Sequence, residues 1–338
     1  MCFRHVRVLV AALISVATLS ALPSTSAATV SSPDTPRTGV AHQRYATRDG
    51  GIQHRVVWDQ FRRGRAGIHL RSARLDGTDI RRVYDSAAGF TLNPTLDGSG
   101  RRVAFGTCCR DSFPQLVVVP IRGGRALEPL AKHPHLIAVG GIGWSPTGDR
   151  LAFEAIDVSS PERSKGIWTI RPNGRDLQLV LRVPTLGADD QPFINNSLGW
   201  TRRGILYSDG TDLRAASAGR SRLVLRNVSS IRIAGNHRRI VVVRNQDTRR
   251  PPAAWVARAD GTQLKRVLVY RPAGETPVTL FYDVIPNYDA SQVLSLRITT
   301  DTESDRSRTE VVRWHTAERP SSATVIEVAE GNYTASWN

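Results

Sequence analysis

The chain has 338 residues, of which 40% are hydrophobic and 22% charged, and its formal net charge at pH 7 is +16. Lys132, Lys165 and Lys265 are the only lysines, so arginines spread along the chain in ones and twos carry nearly all of the positive charge. The sequence has no dense basic tract with interleaved aromatic residues, which argues against a nucleic-acid-binding protein. A general attraction to anionic envelope material fits this charge better.

The first 28 residues have the pattern of a secretory signal peptide. Arg4 and Arg7 form a basic start, residues 8–22 are an almost uncharged apolar run, and small residues around Ala27 offer a cleavage site. The run is shorter than the ~20 residues that a bilayer-spanning helix needs, so an uncleaved anchor is the less favoured alternative. We predict an exported protein, secreted or held in the envelope or periplasm, with no membrane span after cleavage.

Residues 29–44 are rich in Ser, Thr and Pro and are predicted to form a disordered linker. The remaining residues, 45–338, show strand-type periodicity. Short β-branched runs such as "QLVVVPI" and "RIVVVRN" are separated by turn-forming residues at roughly even intervals, with no convincing helical stripe. The sequence therefore predicts an all-β domain that is a sandwich, a barrel or a propeller.

A repeat of about 47 residues distinguishes between these architectures. The run "DRLAF" ends at Phe153, and similar runs end at Phe105 and Tyr207. A second series consists of tight-turn dipeptides that end at Gly174, Gly261 and equivalent positions. It has about the same period as the first series. Each period then holds four strands, which is the content of one propeller blade. The sequence predicts six four-stranded antiparallel blades.

The C-terminal phrase "GNYTASWN" matches the first strand of a blade, but no further blade follows it. A ring of blades needs a closure, because a single blade cannot bury both of its faces. We therefore predict that residues 333–337 form the inner strand of the first blade and close the ring.

The segment "WSPTGDRLAF", residues 144–153, is followed by a strand and an Asn-Gly turn. This pattern resembles the WD-like repeat of secreted bacterial TolB-like six-bladed β-propellers, which also occurs in propeller domains of prolyl-oligopeptidase-type enzymes. The copy at Trp200 keeps the tryptophan and loses the proline, and the last two blades keep only the hydrophobic pattern. The resemblance implies the fold. It does not specify the function, because such propellers serve as interaction platforms, as gating domains and occasionally as lyases.

The repeat residues are interpreted as scaffold. The Trp would pack between blades, Pro-x-Gly would form the turn, and the following apolar residues would lie in the core. The residues assigned this structural role are Trp144, Pro146, Gly148, Phe153, Gly174, Trp200, Gly261 and Trp337.

A motif search gives no catalytic residue, cofactor or metal site. The sequence lacks a G-x-S-x-G elbow, an H-E-x-x-H pair, a P-loop and a dinucleotide-binding glycine motif. In a four-stranded meander, the loops after the second and fourth strands share one face, and here they are long and dissimilar. Because variable loops on a rigid scaffold often carry binding sites, that face is the predicted binding surface.

Polar residues of the long-loop face could hold a metal, act on an acidic sugar, or simply be solvated. The candidate ligand-binding residues are His133, His135, Asp189, Asp190, Glu275 and Asp283.

The cysteines exclude a disulfide framework. Cys2 would leave with the signal peptide, and Cys108 and Cys109 are adjacent, so they can form a vicinal disulfide or remain thiols.

These features predict an exported, monomeric, non-catalytic platform for an envelope or extracellular protein, with an anionic polymer as a further partner. The alternative is a propeller lyase or hydrolase, or a carbohydrate-binding protein, that acts on an anionic cell-wall polymer through the long-loop face.

Overall fold

The computed structural model describes residues 55–59, 67–74, 78–86, 90–108, 115–159, 165–183, 197–244, 253–269, 278–301, 306–317, 324–329 and 335–337. Within these ranges the regular structure is β-strand, apart from the 3-10 helix Pro129–Lys132. The prediction of an all-β protein is therefore confirmed. The predicted signal peptide and linker lie outside the described residues.

The described strands pair into six antiparallel sheets. Sheet 1 contains β1 (Arg55–Asp59), β2 (Ile68–Arg74) and β3 (Arg81–Ser86), and sheet 2 contains β4 (Phe90–Leu96), β5 (Arg102–Cys108) and β6 (Gln115–Pro120). Sheet 3 contains β7 (Leu136–Trp144), β8 (Leu151–Asp157), β9 (Lys165–Ile170) and β10 (Gln178–Val183). Sheet 4 contains β11 (Leu198–Thr201), β12 (Gly204–Ser208), β13 (Asp212–Ser217) and β14 (Arg220–Arg226). Sheet 5 contains β15 (Val228–Ile233), β16 (Arg239–Arg244), β17 (Ala253–Arg258) and β18 (Lys265–Val269). Sheet 6 contains β19 (Val278–Pro286), β20 (Gln292–Asp301), β21 (Arg306–His315) and β22 (Thr324–Ala329), and β23 (Ala335–Trp337) joins sheet 1.

Each sheet is a meander in which strands consecutive in sequence are hydrogen-bonded neighbours. In sheet 3, Trp144 pairs with Leu151 across the first hairpin, and Phe153 pairs with Trp168 across the next strand pair. Tight turns join the hairpins because glycines take the left-handed conformation there, as Gly148 (φ 72°) and Gly174 (φ 80°) do.

Sheet 2 departs from the predicted four strands, because the described residues give it three. Leu127 forms a single bridge with Val118 where a fourth strand would begin. Pro129 follows at the start of the 3-10 helix, and it cannot donate to a strand ladder since proline has no N–H.

The last strand, β23, lies beside β1 in the position that the sequence assigned to the closing strand. Trp337 pairs with Val56 and Ala335 pairs with Trp58, both in antiparallel register. Residues 333 and 334, which the prediction included in this strand, lie outside the described residues.

The first strands of neighbouring sheets are adjacent in space. The order of contacts is β4 with β7, β7 with β11, β11 with β15, and β15 with β19. β23 contacts both β19 and β4, so these six strands follow one another around a closed ring. Apolar clusters fill the space between successive sheets, and one of them joins Leu116 of sheet 2 to Phe153 of sheet 3.

Glycines allow three of these first strands to approach each other closely. A Cβ atom built on Gly199 of β11 would lie 2.0 Å from Cγ1 of Ile233 in β15. A Cβ atom on Gly141 of β7 would lie 2.4 Å from the backbone nitrogen of Leu198 in β11. Only a residue without a side chain fits these positions at the observed separation of the strands.

We expect Gly199→Ala to lower the free energy of unfolding by about 1–3 kcal/mol, because the added methyl overpacks the contact with Ile233. Urea unfolding of the two proteins measures this change. Gly98→Ala is the matched control, since its Cβ would meet nothing closer than 3.6 Å. Equal stability of the two alanine variants would contradict the close approach of β11 and β15.

Deletion of residues 331–338 removes β23 and the pairing partner of β1. We expect the melting temperature to fall by more than about 5 °C, since each kcal/mol lost shifts a domain of this size by ~2–4 °C. Differential scanning calorimetry measures the shift. Deletion of residues 29–44, the predicted linker, is the control and should leave the transition unchanged. An unchanged transition after the C-terminal deletion would rule out a stabilising role for β23.

Candidate functional site

A cavity of about 310 Å³ opens where the turns between the first and second strands of sheets 2 to 6 meet. We call it the turn-face cavity. It is polar: carboxylate, hydroxyl, guanidinium, amide, imidazole and phenol groups line it. The residues that carry these groups are Asp97, Ser99, Arg102, Thr147, Arg202, Asn236, His237 and Tyr288.

Asp97 is the most buried of these groups, with 1% of its surface exposed. Its Oδ1 accepts hydrogen bonds from the Ser99 hydroxyl at 2.9 Å and from the Arg101 backbone N–H at 2.9 Å. Its Oδ2 accepts from Nε of Arg102, also at 2.9 Å. The carboxylate is therefore committed to holding its own turn and neutralises Arg102.

Arg102 also connects sheet 2 to sheet 3. Its Nη2 donates to the carbonyl of Gly148 at 2.6 Å, and its guanidinium carbon lies 4.6 Å from the centre of the Trp144 ring. Nε1 of Trp144 donates in turn to the carbonyl of Thr95 in β4 at 3.0 Å. The tryptophan of the repeat thus lies between two sheets, with its ring covered by a cation and its N–H bonded.

His237 presents a hydrogen-bond acceptor to the turn-face cavity. Its Nδ1 lies 2.6 Å from the carbonyl oxygen of Trp200, and a carbonyl only accepts, so Nδ1 carries the proton. Burial lowers the pKa of His237, and the positive charge of Arg202 lowers it further. The ring is therefore neutral at pH 7, and its acceptor Nε2 lies 3.6 Å from the position that a Cβ atom on Gly98 would occupy.

Arg202 is the exposed cation of the cavity. Among the described residues no salt bridge involves it, whereas Arg102 is paired with Asp97. Its backbone N–H donates to the carbonyl of His237, and the N–H of Asn236 donates to the carbonyl of Tyr288 at 2.7 Å. These bonds join the turns of sheets 4, 5 and 6, so a rigid backbone positions the cavity's polar side chains.

The structure places only part of the predicted long-loop site. The rings of His133 and His135 meet edge to face with centroids 6.1 Å apart, and Nε2 of His133 lies 3.2 Å from the carbonyl oxygen of Gly174. Asp189, Asp190 and Glu275 lie outside the described residues. So does the side chain of Asp283, whose backbone belongs to β19. Within the described ranges no three His, Cys, Asp or Glu residues could together hold a metal ion.

The remaining repeat residues occupy turns and the core. Pro146 and Gly148 lie in the turn between β7 and β8, and Phe153 has no exposed surface. Gly261 has a φ of 84° in the turn before β18, and Trp200 is half-buried beside the cluster between sheets 3 and 4. The backbone of Trp337 pairs in β23, but its side chain lies outside the described residues, as do the side chain of Cys108 and all of Cys109.

Sequence reasoning did not select Arg202, Asn236, His237 or Tyr288. Each of them follows the first strand of its sheet, in a turn that the sequence analysis treated as scaffold. The sequence did contain a signal for these residues, which was their position in the repeat. Residues at equivalent positions of successive repeats come together around the ring axis. In the turn after the first strand, sheets 4, 5 and 6 carry different polar groups and lack the Pro-x-Gly of residues 146–148.

No family model matches the sequence, and no curated protein matches it. Among solved structures, TolB from Acinetobacter baumannii superposes with a TM-score of 0.55 at 13% identity, covering 85% of this chain and 67% of that one. The fold is a β-propeller. The β-propeller domain of the Trilobed protease from Pyrococcus furiosus gives a TM-score of 0.51 at 11% identity, covering 82% and 95%. That domain is described as having an open velcro topology, whereas β23 pairs with β1 in this propeller.

No helix among the described residues is long and apolar enough to cross a membrane.

Glu154 of β8 is a buried carboxyl group away from the turn-face cavity. It is 2% exposed, its Oε2 has no hydrogen-bond partner, and the Nζ of Lys165 lies 3.9 Å away. Burial raises the pKa of Glu154 to about 7, and Lys165 only partly opposes this effect. The folded propeller therefore binds a proton that the unfolded chain has already released at neutral pH.

This proton makes stability depend on pH. Between the unfolded pKa of 4.5 and the folded value of about 7, unfolding releases the proton, so the free energy of unfolding falls as the pH rises. We expect Glu154→Gln to remove this decline and to stabilise the protein at pH 8 by on the order of 3 kcal/mol. Urea unfolding at pH 5 and pH 8 measures the effect, with exposed Glu128→Gln as control. A Glu154→Gln variant less stable than the parent at both values would show instead that the ion pair with Lys165 dominates.

Proposed function

We propose that this protein is an exported, six-bladed, TolB-like β-propeller that acts as a monomeric, non-catalytic binding platform in the cell envelope or outside the cell. The cyclic order of first strands and the pairing of β23 with β1 support a closed ring of six blades. The blades would have four strands, with sheet 2 as the exception. The pattern of residues 1–28 supports export.

The turn-face cavity is the observation that carries the binding role. Arg202 offers a guanidinium that no acidic partner neutralises among the described residues, and Nε2 of His237 offers an acceptor. Together they match a ligand that carries a carboxylate next to an N–H or O–H donor. An acidic segment of a protein partner has this chemistry, and the hydroxyls of Ser99 and Tyr288 add further hydrogen-bonding groups.

The chemistry of the cavity favours binding over catalysis. Both oxygens of Asp97 already accept hydrogen bonds, so this carboxylate is not free to take a proton from a substrate. The backbone bonds between turns hold the cavity in shape before a partner arrives, which limits the entropy lost on binding. The alternative of an enzyme or carbohydrate-binding protein that uses the long-loop face stays a prediction, carried by His133 and His135.

The test is affinity capture from envelope extract with the immobilised chain lacking residues 1–28, quantified by mass spectrometry. We expect at least one protein to be enriched on the parent chain and to fall about tenfold or more with Arg202→Glu. Losing a charge-assisted hydrogen bond costs about 1.5–3 kcal/mol, which gives a change of this size. The purified partner should then bind the parent by calorimetry with the same ratio between variants.

Arg175→Glu is the matched control, because Arg175 is exposed in a turn of sheet 3 and does not line the turn-face cavity. It makes the same change in net charge and should keep the partner bound. Capture that is equal on all three proteins, or capture of no protein at all, would overturn the proposal.

A further inference from the structure

Among the described residues, the net positive charge is concentrated on two of the sheets. The described residues of sheets 4 and 5, 197–244 and 253–269, include thirteen Arg or Lys and only three acidic residues, a formal excess of ten positive charges. The described residues of sheet 6 and its turns, in contrast, hold four basic and five acidic residues. The arginines themselves occur on every sheet, so the excess on sheets 4 and 5 results from the scarcity of acidic residues there.

Part of this charge lies on or beside the outer strands of sheets 4 and 5, and we call these side chains the basic rim. It comprises the side chains of Arg220, Arg222, Arg226, Arg244, Lys265 and Arg266. β14 and β18 are the outermost strands of sheets 4 and 5. Arg244 is partly exposed, and the other five side chains are exposed.

Direct contacts join the two halves of the basic rim. Gly261, in the turn that precedes β18, packs so closely on β14 that a Cβ atom there would lie 3.0 Å from the side chains of Val224 and Leu225. At the end of β14, Nε of Arg244 donates to the carbonyl of Arg226 at 3.3 Å. The charged outer strands of the two sheets are therefore neighbours.

Within the described part of the chain, the basic rim forms no ion pair with an acidic side chain. Nearby arginines on the same sheets do form such pairs: Arg203 pairs with Asp260, and Arg214 pairs with Asp209. Among the described residues no salt bridge involves any of the six basic-rim side chains. Asp212 lies opposite Arg226 across β13 and β14 but forms no salt bridge with it, so the net charge of the basic rim stays positive and favours a bound anion.

We propose that the basic rim binds a linear phosphodiester polymer without bases, such as poly(glycerol phosphate). The distance from Arg220 to Arg226 along β14 is about 20 Å, at ~3.3 Å per residue, so a small anion cannot contact both ends. Arg220 and Arg222, two residues apart on β14, stand about 6.6 Å from each other, a spacing that successive phosphates of a flexible chain can match. The planar guanidinium fork binds phosphate oxygens in pairs, which favours phosphate as the recognised group.

Two other anionic partners fit the basic rim less well. A membrane would favour exposed apolar side chains beside the charges, but the exposed large apolar residues of the described chain lie on other segments, at Ile80, Leu127, Val158, Leu179 and Tyr288. Single-stranded nucleic acid binds on stacking platforms, whereas the indole of Trp255, in sheet 5, is already covered by Arg244, whose guanidinium carbon lies 5.9 Å from the ring centre.

The experiment measures binding of synthetic poly(glycerol phosphate) by calorimetry at about 50 and 200 mM salt. The rim variant carries Arg220→Gln, Arg222→Gln, Arg226→Gln, Lys265→Gln and Arg266→Gln. The control variant removes five exposed arginines from sheets 2 and 3 that form no salt bridge among the described residues: Arg101→Gln, Arg122→Gln, Arg125→Gln, Arg175→Gln and Arg182→Gln. Both variants lose five positive charges, so only the position of the charges differs.

We expect the parent to bind more weakly at the higher salt concentration, and the rim variant to bind at least about tenfold more weakly than the parent with a shallower salt dependence. The control variant should stay within about threefold of the parent, since long-range attraction alone is screened at these salt concentrations. Equal losses in the two variants would overturn the proposal. So would tighter binding of polyglutamate or of single-stranded DNA than of poly(glycerol phosphate).

Thermal unfolding of both variants shows whether either has lost its fold. If the rim variant does unfold, Arg→Lys at the same four arginines keeps the charge and removes the planar fork, and should still weaken phosphate binding. Arg202→Glu should leave polymer binding unchanged because it is not part of the basic rim, so failure of this proposal and failure of the proposed partner site are distinguishable.

Discussion

The close packing of neighbouring first strands is the constraint on which the rest of the structure depends. Gly141 and Gly199 let the strands of sheets 3, 4 and 5 approach until the backbone of one meets the side chains of the next. That approach brings the turns after these strands together around one axis, and hydrogen bonds between the turns hold them there. The turn-face cavity is thus a direct result of how little space the first strands leave between them.

Scaffold and binding functions are divided between residues of the same turns. Asp97, Arg102 and Trp144 hold one another and leave no acidic group available, whereas Arg202 and His237 keep a donor and an acceptor directed to the cavity. The structural contacts come from sheets 2 and 3, which carry Asp97, Arg102 and Trp144. The unpaired guanidinium and the imidazole acceptor come from sheets 4 and 5, as Arg202 and His237.

The sequence was sufficient to predict the class of fold and the position of the last strand, because strand periodicity and Gly-containing turns are local properties. It could not predict which distant residues meet in space to form the site. His237 and Arg202 are 35 residues apart and have no motif in common, and they meet only because sheets 4 and 5 are neighbours in the ring. The three strands of sheet 2 were also missed, since the effect of Pro129 on a strand ladder depends on where the hairpin register places it.

Among the described residues, the unequal distribution of charge also gives an electric dipole whose axis lies across the ring. Near an extended anionic surface this dipole experiences a torque that turns sheets 4 and 5 toward the surface before any contact forms. The turns that line the cavity come from five different sheets, so they face along the ring axis, at right angles to that approach. A propeller oriented in this way would rest on its edge and keep the turn-face cavity accessible to proteins that diffuse alongside the surface.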